Sequence, residues 1–113
     1  MNFLHKELAQ GRWFELSLVE QLANVGMDVE RAIKWRVRGD LEQSQAAFIR
    51  ALDLLYLTIE DKKNRGACLK ELCRVKECLL DYFLGYNEYG SSDALWSNYF
   101  YFYAYAAAVR RGR

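Results

Sequence analysis

Residues 35–43, WRVRGDLEQ, decide the fold. They read as the end of one helix, a short break and the start of the next. Arg36 and Arg38 bring positive charge to a helix C-terminus, where the macrodipole favours it. Gly39 stands where a left-handed residue stops a helix. Asp40 then serves as an N-cap, and Gln43 three residues later completes a capping box. A connection this short leaves two helices no arrangement but antiparallel neighbours.

Toward the N-terminus, Leu18, Leu22, Val25, Val29 and Ala32 recur at three- and four-residue steps, and Leu16, Val19 and Ile33 widen the stripe. The pattern predicts a first helix over residues 13–38 after a short lead-in. Glu30 and Lys34 form an i,i+4 pair in the favourable order. Gly26 costs this helix about 1 kcal/mol of propensity relative to alanine, so it implies either a bend or the close approach of a neighbouring helix. Toward the C-terminus, Ala47, Ala51, Leu54, Leu55 and Thr58 mark one face of a second helix over 40–61, broadened by Phe48, Leu52 and Ile59. Residues 61–66, DKKNRG, read as a polar loop. Leu69, Leu72, Val75, Leu79 and Phe83 stripe a third helix over 67–84, with Gly85 at its end. A fourth helix, capped by Ser91 or Ser92, runs over 92–110. The expected fold is all-α, an up-and-down four-helix bundle with short connections, in one domain spanning 1–113. The absence of proline, seven glycines and 52% apolar or aromatic residues agree with helix and argue against disorder.

The segment with most bearing on function is LWSNYFYFYAYAAAV, residues 95–109. A helix there carries aromatic groups around most of its circumference, more than a chain of this length has core to cover. Leu95, Tyr99, Phe102 and Ala106 fall on one line, and Trp96, Phe100, Tyr103 and Ala107 on the next. Tyr101 and Tyr105 fall outside both. The reading is an oligomer interface made by Trp96, Tyr99, Phe100, Tyr101, Tyr103 and Tyr105, with a homodimer as the default closed symmetry. A second protein partner fits the same surface.

Other chemistry is thin. Net charge is +1, which calls for no polyanionic partner. A local basic patch of Lys62, Lys63, Arg65, Lys70 and Arg74, joined by Arg110 and Arg111, offers the alternative of an accessory nucleic-acid-binding protein. Trp35 beside Arg31 and Arg38 adds a weak stacking motif; Trp13 and Trp35 also suit plugs at the ends of the core. Residues 86–89, Tyr86, Asn87, Glu88 and Tyr89, place two tyrosines, an amide and a carboxylate between glycines as a possible binding loop. Tyrosines in such a loop also serve to lock it onto the bundle end.

Cys68, Cys73 and Cys78 recur every five residues, a spacing that turns about 140° per step and shares no helix face. They match no zinc pattern. His5 is the one histidine and starts no Glu-x-x-His pair, so no metal, cofactor or catalytic residue is assigned. No phosphate-cradling or dinucleotide-binding glycine pattern is present. The expectation is a non-enzyme. The N-terminal residues lack the apolar segment of a signal peptide, and the uncharged run 94–109 spans about 24 Å of helix against a hydrocarbon core of roughly 30 Å. The expected location is cytoplasmic, with no membrane partner.

The phrases KELAQGRWFELSLVEQLANVGMDVERAIKW, LCRVKECLLDYF and NEYGSSDALW resemble a small prokaryotic all-helical family of uncharacterised function, over nearly the whole chain. That resemblance implies a helical fold and no particular activity. The segment GDLEQSQAAFIRALDL, residues 39–54, resembles part of a tetratricopeptide repeat, but it occurs once and solenoids need repeated units. The chain also invites comparison with the helical partners of minimal nucleotidyltransferases. Members with nuclease function resemble one another in an arginine and a histidine separated by six residues. No arginine precedes His5, so that catalytic role does not carry over.

Overall fold

The computed structural model describes residues 11–112. Within them lie four helices, α1 (Leu18–Val37), α2 (Leu41–Glu60), α3 (Ala67–Leu84) and α4 (Asp93–Arg111). They form an up-and-down bundle with short connections. His5 lies outside the described residues.

The break between α1 and α2 follows the local chemistry of the sequence. Gly39 takes φ 85°. The Asp40 N–H bonds the Trp35 carbonyl at 2.9 Å and the Gly39 N–H bonds the Arg36 carbonyl at 3.0 Å, the paired bonds of a Schellman stop. Asp40 Oδ1 accepts from the Gln43 N–H at 3.1 Å, which starts α2. The two helices approach through alanines. Ala32, Ala47 and Ala51 are fully buried, and Ser44 Oγ reaches across to the Ala32 carbonyl at 2.7 Å.

The start of α1 differs from the expectation of a helix from residue 13. Residues Arg12–Glu15 form a 3-10 turn, Leu16 is extended, and α1 begins after Ser17. The cause is a capping box. Ser17 Oγ accepts from the Glu20 N–H at 3.2 Å, and Glu20 Oε1 accepts from the Ser17 N–H at 3.0 Å. The bond from the Ser17 N–H first, and then the Ser17 hydroxyl donating to Glu20 Oε1 at 3.1 Å, hold the Glu20 carboxyl below its usual range. The Ser-x-x-Glu spacing at 17–20 was the signal for this boundary.

The early turn delivers Trp13 into the core, where it plugs one bundle end. Its indole Nε1–H donates to Thr58 Oγ1 at 3.1 Å. Around it lies a buried polar network that the reading of 61–66 as a plain polar loop did not anticipate. Residues Lys62–Asn64 form a second 3-10 turn, and Asp61 and Asn64 are buried. Gln21 Nε2 donates to the Trp13 carbonyl at 3.0 Å and to Asp61 Oδ2 at 2.8 Å. Asn64 Nδ2 donates to Gln21 Oε1 and to the Thr58 carbonyl, both at 2.9 Å. Lys63 Nζ pairs with the Asp61 carboxylate and donates to the Phe14 carbonyl at 3.1 Å. Burial pushes the Asp61 carboxyl up, but the bonds from Lys63 and Gln21 outweigh it and the net direction is downward. The network ties the N-terminal turn, α1 and the end of α2 into one latch.

Helix α1 is the central element, packing along α2 on one side and α4 on the other. The α1–α4 contact explains Gly26. A Cβ there would stand 2.6 Å from Phe100 Cβ and 2.9 Å from its Cγ. Of the two meanings left open for this glycine, close approach is the one the structure takes. Helix α3 closes the bundle through Leu72, Val75 and Leu79, and Phe83 stacks on Phe48 of α2 at 4.6 Å between centroids.

Two outcomes follow from this packing. Gly26→Ala gains helix propensity but overpacks Phe100, so a net loss of about 1–3 kcal/mol is expected in urea unfolding. A gain in stability would show that α1 and α4 are not in such close contact. Asp61→Asn is expected to cost about 1.5–3 kcal/mol at neutral pH, the worth of hydrogen bonds to a charged group. Because the folded Asp61 pKa is depressed, its contribution is complete above the unfolded aspartate value and is lost as pH falls through the folded one. The gap between wild type and variant should therefore close on acidification, and a gap that widens would contradict the latch.

Candidate interaction surface

Helix α4 begins where Ser92 Oγ accepts from the Leu95 N–H at 3.1 Å, and it ends with Arg110 and Arg111. Asp93 in its first turn accepts the Tyr82 hydroxyl at 2.5 Å and Arg36 Nη2 at 3.4 Å. The Arg36 guanidinium lies 4.5 Å over the Tyr82 ring and 4.7 Å over the Phe83 ring. Burial, then the bond to Asp93, raises the Tyr82 hydroxyl pKa, so it stays a donor. This cluster anchors the start of α4 to the ends of α1 and α3. It also holds α4 in the rotation that the Gly26–Phe100 contact sets.

That rotation sorts the aromatic run into three sets. Trp96 and Phe100, expected among the interface residues, are 4% and 2% exposed and belong to the core. The reason is Gly26, whose missing side chain makes the socket that Phe100 fills. Tyr99 and Tyr103 are half-buried toward α3. Tyr99 donates its hydroxyl to Glu71 Oε2 at 2.9 Å; burial first, then that bond, pushes its pKa up. The outer face keeps Tyr101, Phe102 and Tyr105, which are 68%, 63% and 60% exposed. Tyr101 and Tyr105 stack on each other at 6.4 Å between centroids.

Beside Tyr101 the surface dips into a groove of about 550 Å³ between α1 and α4. Ala23, Gly26 and Ala104 make it shallow-sided, Met27 stands exposed at its edge, and Arg31 and Lys34 line its polar end. Ser97 Oγ donates to the Glu30 carboxylate across it. Phe102 and Met27 were not among the predicted surface residues. Phe102 shares a helical line with Leu95 and Tyr99, which alone does not distinguish core from solvent. Met27 is one residue from Gly26, and only the α1–α4 contact shows which side of that pair faces outward.

The loop residues 86–89 do not lock onto the bundle end through their tyrosines. Tyr86 is 93% exposed and Tyr89 is also exposed. Asp81 holds the loop instead, its carboxylate accepting from the Glu88 N–H at 2.8 Å and the Tyr89 N–H at 3.1 Å. Asn87, at φ 56°, bonds Ser91 through both ends of its amide. The backbone donors that would greet an anion here are already occupied by Asp81.

The basic residues are dispersed. Lys63 belongs to the Asp61 latch, and Arg110 donates to Ser17 Oγ at 3.4 Å. Lys62, Arg65, Lys70 and Arg74 are exposed, with exposed Glu71 and Glu77 interleaved along α3. Arg38 lies 5.5 Å over the Trp35 ring, covering a face that base stacking would need. Cys68 is exposed while Cys73 and Cys78 are half-buried, in keeping with their separate faces. Among the described residues no three His, Cys, Asp or Glu side chains form a group able to hold a metal ion. No helix among them is long and apolar enough to cross a membrane.

Asp81→Ala should free the loop without unfolding the bundle. Amide exchange at Glu88 and Tyr89 is expected to accelerate about tenfold, while global stability shifts by less than about 1 kcal/mol. Unchanged exchange at both amides would remove Asp81 from this role. No family model, curated protein or solved structure matches this chain.

Proposed function

We propose that the chain is a non-enzymatic interaction protein that self-associates through the outer face of α4. One observation carries this reading: three large aromatic side chains on one helix face, each more than half exposed, with no helix among the described residues over them. Isolated exposed aromatics are ordinary, whereas a contiguous patch marks a contact surface. The area is suited to self-association. Tyr101, Phe102, Tyr105 and Met27 each offer on the order of 100 Å². Together they supply roughly half of the ~800 Å² that a standard interface takes from each partner. Ala104, Ala108 and Asn98 lie on the exposed side of the same helix and extend it.

A two-fold contact must be self-complementary. The stacked Tyr101–Tyr105 pair is a knob, and the α1–α4 groove beside it is a depression. Rotation about an axis through the patch sets each knob against the partner's groove. The polar end of the groove carries Glu30, Arg31 and Lys34, so unlike charges can meet across such an axis. The non-enzymatic part of the reading rests on how the interior polar groups are used. Gln21, Thr58, Asp61 and Asn64 bond one another and the backbone, which consumes them structurally.

Nucleic-acid binding is the less supported alternative. Glu71 and Glu77 dilute the α3 cations, and Lys63 and Arg110 are engaged within the chain.

Tyr101→Ser with Tyr105→Ser is the direct test. Helicity by circular dichroism should persist, because neither side chain is buried. Light scattering across a dilution series should show an oligomer for the wild type and a monomer for the variant. A monomeric wild type, or an unchanged mass in the variant, would remove this face from the assignment.

A further inference from the structure

The two ends of α3 are held very differently. At its C-terminal end Phe83 stacks on Phe48 of α2, the Tyr82 hydroxyl donates to Asp93 of α4, and the Arg36 guanidinium covers the Tyr82 and Phe83 rings. The N-terminal end is held by less. Its cap is Gly66, at φ 91°, which offers no side-chain acceptor to the first-turn N–H groups, and that turn contains no acidic residue. Arg65 and Lys70 flank it, exposed cations at the positive end of the helix dipole. Ala67 and Cys68 are exposed, and Leu72 is the first buried residue of the helix. The bond from the Tyr99 hydroxyl to Glu71 lies in contact with water.

This weakly held end covers apolar surface. Against it lies a concavity of about 270 Å³, walled by Leu18 and Leu22 of α1, Tyr103 of α4 and the first turns of α3. Dispersion contacts that would hold those turns down are missing wherever the concavity intervenes. The Tyr103 ring meets that of Phe102 at 5.1 Å and that of Tyr99 at 5.6 Å between centroids. The surface under these turns is therefore continuous with the exposed outer face of α4. Segments with few buried contacts and solvent-exposed hydrogen bonds open before the rest of a fold. We infer that residues 67–74 of α3 form a lid, which unwinds while the remainder of the bundle stays folded and uncovers Leu18, Tyr99 and Tyr103. The open chain thereby extends its aromatic face from Phe102 toward α3. The use of that added area rests on the reading of α4 as a contact face; the opening itself belongs to the single chain.

Amide hydrogen exchange in low, non-denaturing urea tests the lid residue by residue. The amides of Leu72, Cys73 and Arg74 bond carbonyls within the lid, whereas those of Tyr82 and Phe83 bond carbonyls beyond it. After correction for intrinsic rates, the first three should exchange about tenfold or more faster than the other two. They should also depend little on urea, because a local opening exposes little surface. Phe83→Leu removes the stack on Phe48. It should accelerate the Tyr82 and Phe83 amides about fivefold and leave the lid amides unchanged. Lys70→Glu puts a carboxylate at the positive end of the dipole and should slow the lid amides about threefold. Equal protection at both ends of α3, or lid amides that accelerate with Phe83→Leu, would mean that α3 opens only as a whole and would overturn the lid. The same contrast should persist in the Tyr101→Ser, Tyr105→Ser variant. Its loss there would overturn opening in the single chain and leave the contact face standing.

Discussion

The contact between Gly26 and Phe100 is the constraint on which the rest of the molecule depends. At that crossing α4 lies so near α1 that no side chain fits between the glycine and the phenylalanine ring. Seating Phe100 there turns Trp96 inward with it, one helical turn earlier, and the two rings stack at 6.0 Å between centroids. Once those positions are committed, the helical repeat carries Tyr101 and Tyr105 to the far side. The exposed aromatic face is therefore a consequence of a buried contact. A glycine with poor helix propensity persists in mid-helix because its value lies in the neighbouring helix.

Two polar clusters fix the ends of the bundle around this crossing. At one end the side chains of Gln21, Asp61 and Asn64 satisfy one another, and Thr58 Oγ1 takes the Trp13 indole N–H, so a buried polar group costs little. At the other, Asp93 receives Tyr82 and Arg36 and holds the first turn of α4. Between them Asp28, buried on α1, pairs with Arg31 at 2.6 Å and lies 3.7 Å from Arg50 on α2. Such groups contribute less to net stability than the apolar core, but they discriminate against slipped helix registers, because each shift leaves buried partners unmatched. In this bundle the consequence is a defined rotation of α4, and hence a defined outer surface.

The two sides of α4 suit different chemistry. Its outer face carries the exposed rings of Tyr101, Phe102 and Tyr105, the composition of the centre of a protein contact. Its other flank, toward α3, is concave, with Arg74 and Glu77 in its wall. The loop between α3 and α4 adds little binding capacity of its own, because Asp81 already takes its inward-facing amides.

The order of four helices, their antiparallel connection and most of their ends were legible in the residues, because they depend on interactions a few positions apart. Gly39, Asp40 and Ser92 act on neighbours in sequence, and apolar stripes repeat with the helical period. The Ser17–Glu20 box was equally local, and its spacing was readable although the helix was expected to begin earlier. The seven aromatic positions of α4 were another matter. Their spacing showed that one helix held more rings than it could bury, and it placed Tyr101 and Tyr105 off the apolar lines. It left open which line met the core, because both adjacent lines are apolar and the periodicity is nearly degenerate. Only the tertiary structure decided that Trp96 and Phe100 go inside while Phe102 stays out. Local patterns determine where a helix starts, stops and carries its stripes; its rotation against a partner is set by the shape of that partner, here by a side chain that Gly26 does not have.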